Sequence, residues 1–131
     1  MHYDCVVVGV GGVGSAALYA AARRGWSVLG IEQYGTAHDR GSSHGKTRII
    51  RTAYFEHPNY VPLAQRAWQA WESIQALDSI ALVQKTGLLQ VGDPNGELIR
   101  GVLRSADEHD LPVRLMTAAE SMARFPAFRL N

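Results

Sequence analysis

The residues most clearly arranged for chemistry are the turn Gly9-Val10-Gly11-Gly12-Val13-Gly14. Its spacing is G-x-G-x-x-G. The first glycine permits a tight turn, the second lets the backbone approach a pyrophosphate, and the third lets a helix sit close to the preceding strand. Backbone N–H groups and the positive end of the helix dipole then face the phosphate charge. Glu32 stands 18 residues beyond Gly14 (32 − 14), at the end of the next apolar run. A carboxylate there accepts from ribose hydroxyls and repels a 2′-phosphate, so NADP is disfavoured. The turn alone does not choose between NAD and FAD. A glycine turn that binds nothing is the bland alternative; the strand before it, the helix after it and Glu32 beyond it all count against that.

A second group of candidates lies in Gly41-Ser42-Ser43-His44-Gly45-Lys46-Thr47-Arg48-Ile49-Ile50-Arg51. Small residues let backbone approach a flat ligand, while His44, Thr47, Arg48 and Arg51 supply donors for an anion. An extended run from Thr47 to Tyr54 would send Arg48 and Arg51 to opposite sides, because a three-residue step on a strand changes face. One arginine would then address a cofactor and the other a substrate. The competing account is a solvated basic loop, since exposed arginines usually do little.

Regular elements must position these residues. Cys5-Val6-Val7-Val8 reads as a strand buried on both faces, Ser15 to Arg24 as an alanine-rich helix, and Ser27 to Glu32 as a second strand. Together they make a βαβ unit with a parallel crossover. After Pro58 and Pro62, the spacing of Leu63, Ala67, Trp68, Trp71, Ile74 and Leu77 predicts an amphipathic helix over about 59–77 with that stripe facing a core. Near residue 83 the composition shifts. Residues 87–92 read as a strand, 96–108 as a helix and 113–116 as a short strand, and Thr117 with Glu120 resembles a capping box. The expected organisation is a partial dinucleotide-binding unit over 1–82 and the beginning of a substrate domain over 83–131. The fold class is α/β, a Rossmann-like βαβ unit with an incomplete parallel sheet followed by the start of an α+β layer. The apolar tail Phe125 to Asn131 has no evident capping element.

Composition narrows the partners. The chain has 131 residues, 47% hydrophobic and 19% charged, with a net charge of +1, so it offers no broad basic field for nucleic acid or acidic lipid. A single cysteine, Cys5, excludes an internal disulfide and fits a reducing cytoplasm. Within the first strand it reads as a small buried hydrophobe. The uncharged run 5–22 reaches the length of a membrane span, but four glycines at 9, 11, 12 and 14 break it, and the start Met1-His2-Tyr3-Asp4 lacks the basic character of a signal peptide. No metal-ligand spacing is evident among the histidines.

On the stretch Gly41 to Arg51, with Tyr60-Val61-Pro62-Leu63 and Lys85-Thr86-Gly87 beyond it, the sequence resembles the monomeric sarcosine oxidase family of FAD oxidoreductases, which includes N-methyltryptophan and pipecolate oxidases. The resemblance covers essentially the whole chain. It implies FAD as cofactor, with Gly9, Gly11, Gly12, Val13 and Gly14 on the pyrophosphate, Glu32 on the adenosine ribose, and Ser42, Ser43 and His44 bordering the flavin. Arg48 would lie against one face of the isoalloxazine, and Arg51 would bind the substrate carboxylate on the other. Arg48, His44 and Thr47 are thus the catalytic candidates, with His44 tuning substrate protonation or flavin charge.

The implied reaction oxidises a secondary amino acid. A hydride equivalent passes from the carbon beside the amine to flavin N5, the imine hydrolyses, and oxygen returns as hydrogen peroxide. Lys46 departs from the acidic or polar residue often found there in relatives. The family's flavin-linking cysteine and oxygen-activating lysine have no counterpart here, so the chain reads as the N-terminal piece of a longer enzyme, inactive by itself. A dehydrogenase passing electrons to another acceptor, or a non-catalytic nucleotide-binding fragment, are the alternatives.

Overall fold

The computed structural model describes residues 1–78 and 81–130. Two compact units divide the chain, Met1–Arg48 and Ile49–Asn131, so the composition shift near residue 83 falls inside the second.

The first unit is the βαβ motif. Strand β1 (Cys5–Val8) leads through the glycine turn into helix α1 (Gly12–Ala22), and β2 (Val28–Ile31) returns parallel to β1 with Cys5 opposite Val28 and Val8 opposite Ile31. Asp4 closes one end of the pair: its N–H donates to the Ser27 carbonyl, and its carboxylate accepts from the Ser27 N–H, both at 2.8 Å. At the other end the Gly9 N–H donates to the Ile31 carbonyl at 2.8 Å, carrying the ladder into the turn. Helix α1 ends where Gly25 adopts a left-handed conformation (φ +83°) and the Trp26 N–H reaches back to the Ala21 carbonyl. The uncharged run 5–22 is therefore a strand, a turn and a helix, and no described helix is long and apolar enough to cross a membrane.

Helix α1 covers one face of this sheet. Val7 lies beneath Gly14, and Gly30 lies beneath Leu18, where a Cβ would come within 2.6 Å of the leucine. The opposite face carries Val6, Val8 and Ile31, all exposed. This corrects the expectation of a strand buried on both faces: β1 alternates between half-buried and exposed residues, and Cys5 is half-buried. Parallel strands are buried twice over only where layers cover both faces, and within this unit one helix covers one face.

The second unit is helical. Helix α2 (Tyr60–Asp78) matches the expected span, but the buried positions are Val61 and Ala64, whereas Leu63, Trp71 and Leu77 of the expected stripe are exposed. Segment 82–85 lies back along this helix. Gln75 accepts from the Leu82 and Val83 N–H groups, and Lys85 pairs with Glu72 at 2.7 Å while its ammonium lies over Trp68.

Helix α3 (Glu97–Glu108) starts with an acidic residue that favours the positive end of its dipole, and it buries Gly101, Val102, Ser105 and Ala106 on one side. Helix α4 (Ala118–Arg124) opens on the expected capping box. Thr117 accepts from the Glu120 N–H, and the Glu120 carboxylate accepts from the Thr117 N–H at 2.7 Å, which holds that carboxyl below its usual value.

Residues 87–92 and 113–116 are not strands. A strand exists through its ladder, and among the described residues neither segment has a partner strand. At the tail, Phe128 is half-exposed, and Asn131 lies outside the described residues.

Candidate functional site

The glycine turn owes its shape to backbone that other residues would not tolerate. Gly9 sits at φ +90°, a region that disfavours side chains. At Gly14 an added Cβ would overlap the Gly9 carbonyl oxygen and approach Val7 at 3.3 Å, so the start of α1 rests directly on the end of β1. The first bond of the helix ladder runs from the Ser15 N–H to the Gly11 carbonyl. That leaves the N–H groups of Gly12, Val13 and Gly14 outside the ladder, as donors at the positive end of the dipole. The Gly12 N–H donates to Ser43 Oγ at 2.9 Å. That bond seats the second candidate loop on the glycine turn within the same unit.

Glu32 is integrated into the turn as well. Its Oε2 accepts from the Val10 N–H at 2.8 Å, while Oε1 accepts from the N–H groups of Gln33 and Tyr34 and faces His38 Nε2 at 3.5 Å. The Val10 N–H is the largest influence on its acidity; it acts against partial desolvation and, with the other donors and His38, holds the carboxyl below its usual 4.5. Each carboxylate oxygen has two lone pairs. Oε1 is crowded, and among the described residues Oε2 has one position left for a further donor.

His38 keeps a defined orientation, with Nδ1 accepting from the Arg40 N–H and its ring edge-on to Tyr34, over which Arg40 also lies. It is a half-buried neighbour of Glu32, and only the fold reveals it; in sequence it is one of five histidines with no distinguishing spacing.

A depressed carboxylate contributes stability above its unfolded pKa and loses it as pH falls through the lower folded value. The stabilising contribution of the Glu32 carboxylate to the first unit should therefore shrink as pH falls below its usual 4.5. Circular dichroism of parent and Glu32→Gln across that range measures this. The expected result is a weaker acid-side dependence in the variant, and identical pH profiles would count against a stabilising role for the carboxylate.

Arg48 folds back on its own loop. Its guanidinium donates to the carbonyls of Thr47 at 2.7 Å, Ser42 at 3.1 Å and His44, and the His44 N–H donates to the Gly41 carbonyl. Ser42, Ser43, His44, Thr47 and Arg48 thus belong to one braced, exposed loop. Arg51 belongs to the second unit, where it pairs with Glu56 at 3.2 Å and lies over the rings of Tyr54 and Phe55 at 4.7 and 5.9 Å. The run 47–51 is irregular, so the strand-based prediction of opposite faces has no strand to rest on. Glu56 was not singled out in the sequence; the available signal was an opposite charge five residues after Arg51.

Residues 4–131 match the family described as FAD dependent oxidoreductase. The chain belongs to that family. FAD is the family's cofactor, and the α/β unit with its glycine turn is the expected Rossmann-like start. Among curated proteins the chain is similar to monomeric sarcosine oxidase of Streptomyces avermitilis, at 44% identity over 95% of this chain and 32% of that protein. It is also similar to N-methyl-L-tryptophan oxidases of Yersinia pestis and Yersinia pseudotuberculosis, at 41% identity over 98% of this chain and 34% of theirs. The chain spans about a third of the length of these relatives.

Proposed function

We propose that this chain is the N-terminal, FAD-binding part of a cytoplasmic oxidase of secondary amino acids, N-methyl or cyclic, that forms an imine and hydrogen peroxide. The observation that carries the proposal is the bond from the Gly12 N–H to Ser43 Oγ. It makes the phosphate turn and the His44–Arg48 loop one surface, along which a long dinucleotide can lie from pyrophosphate to ring system. The names of the similar proteins supply the substrate class: sarcosine and N-methyl-L-tryptophan.

Residues 1–82 then serve the cofactor, and 83–131 begin the substrate domain. Gly9, Gly11, Gly12, Val13 and Gly14 would hold the pyrophosphate, and the open position on Glu32 Oε2 would accept a ribose hydroxyl. Ser42, Ser43, His44 and Arg48 would border the flavin. Thr47 shares that loop and gives its carbonyl to Arg48. FAD, when bound, would supply the two-electron acceptor between substrate and oxygen. The protein's own task is positioning: Arg51 would fix the substrate carboxylate, which sets the reacting carbon, and His44 would tune substrate protonation or flavin charge.

The test uses the complete polypeptide that carries this sequence. Purified protein should show flavin absorption bands and release peroxide with sarcosine, N-methyltryptophan or pipecolate, and Glu32→Lys should weaken FAD retention. Flavin bands with turnover only on an artificial electron acceptor would replace the oxidase with a dehydrogenase. Absence of flavin, with no activation by added FAD, would overturn the proposal. The 131 residues alone should release no more peroxide than free FAD.

A further inference from the structure

We infer that Gly101 and Ser105 of α3 are positioning residues for carboxylate recognition, clamping the Tyr54–Phe55 backbone that presents Arg51. The inference rests on the proposal that Arg51 binds the substrate carboxylate. Gly101 is buried, and a Cβ there would overlap the Phe55 carbonyl oxygen and lie 2.8 Å from the Phe55 Cα and carbonyl carbon. All three are backbone atoms, so no flexible side chain can move aside. One turn later Ser105, fully buried, donates its hydroxyl to the Tyr54 carbonyl. Positions four apart share a helix face, so α3 grips two consecutive peptide units.

Those two residues are the ones whose rings lie against the Arg51 guanidinium, and Glu56, its ion-pair partner, follows directly. Tyr54 also packs against Tyr60 at the start of α2, with ring centres 5.4 Å apart. Glycine inside a helix costs about 1 kcal/mol relative to alanine, and serine also ranks below alanine. Both occur on α3 where it meets the Arg51 segment, beside Val102 and Ala106, which are conventional core residues. Neither Gly101 nor Ser105 is seen to touch Arg51; they act through the backbone between.

The experiment compares parent, Arg51→Ala, Gly101→Ala, Ser105→Ala and the double variant Arg51→Ala/Ser105→Ala in the complete holoenzyme. Affinity for furan-2-carboxylate is read from the change in flavin absorption, and amide hydrogen exchange is followed in peptides covering 51–56. Gly101→Ala should weaken the carboxylate probe roughly ten-fold or more, as expected for a displaced binding group, with FAD content unchanged. Ser105→Ala should weaken it several-fold, exchange in 51–56 should accelerate in both, and the double variant should bind no worse than Arg51→Ala alone. Should Gly101→Ala fail to fold, Ser105→Ala and its double variant carry the test.

If Arg51→Ala weakens the probe while the α3 variants bind and exchange like the parent, the clamp is overturned and the role of Arg51 stands. If Arg51→Ala binds the probe normally, the role of Arg51 falls and the recognition inference falls with it. The exchange data would then report separately whether the clamp exists.

Discussion

Arg51→Ala raises the apparent binding constant of the amino-acid substrate by roughly 30-fold, about 2 kcal/mol, with the flavin spectrum unchanged. Truncating one partner of a buried charge pair costs about 2 to 5 kcal/mol. The lower end applies because the Arg51 side chain is one-third exposed and already faces a carboxylate, Glu56, at 3.2 Å. On the proposed role of Arg51, substrate would have to displace or share that partner. Glu56→Gln should therefore shift substrate binding in the opposite direction, tightening it a few-fold, and a loss of affinity in that variant would contradict the competition. Arg48→Ala should behave differently again. Its guanidinium braces the carbonyls of Ser42, His44 and Thr47, so its loss should alter the flavin spectrum or redox behaviour. Steady-state kinetics and absorption spectra of the three variants separate these outcomes; normal spectra and kinetics in both arginine variants would remove the loop from the active site.

Gly14→Ala is expected to abolish useful FAD retention. The added Cβ overlaps the Gly9 carbonyl oxygen, and relief requires α1 to slide off β1 or the turn to reopen. Overpacking of this kind costs about 3 kcal/mol, equivalent to roughly a 100-fold loss of FAD affinity if it all falls on the binding conformation. Gly35→Ala is the control, because a Cβ at Gly35 meets nothing within 4 Å and its φ is not in the left-handed range. Isothermal titration with FAD should find Gly35→Ala indistinguishable from the parent. Equal affinity in Gly14→Ala would mean that the turn is more plastic than its packing implies.

Much of the local structure was legible in the residues themselves. The β-branched run at Cys5–Val8, the glycine spacing that follows it, the alanine-rich helix and the capping box at Thr117 and Glu120 each depend on near neighbours in sequence. Helix α2 was placed to within a residue or so because Pro58 and Pro62 mark its start and apolar periodicity marks its length. Family membership was also legible, because Gly41 to Arg51 combines small residues, a histidine and two arginines in an uncommon order.

Tertiary structure decided what depends on distant atoms. The residues of α2 that are buried, Val61 and Ala64 rather than Leu63 and Trp71, were set by contacts that periodicity cannot see. Whether 87–92 and 113–116 are strands depended on partners for their backbone groups, and none exists among the described residues. In the same way, the glycine spacing predicts a phosphate site, but the 31-residue separation between Gly12 and Ser43 hid the bond that joins the turn to the second loop. The position of Glu32 predicts a ribose acceptor, yet its first partners are the backbone of Val10, Gln33 and Tyr34. Sequence spacing determines local geometry through short-range sterics and hydrogen bonds, whereas the distribution of lone pairs and buried faces is settled only when chain segments far apart in sequence meet.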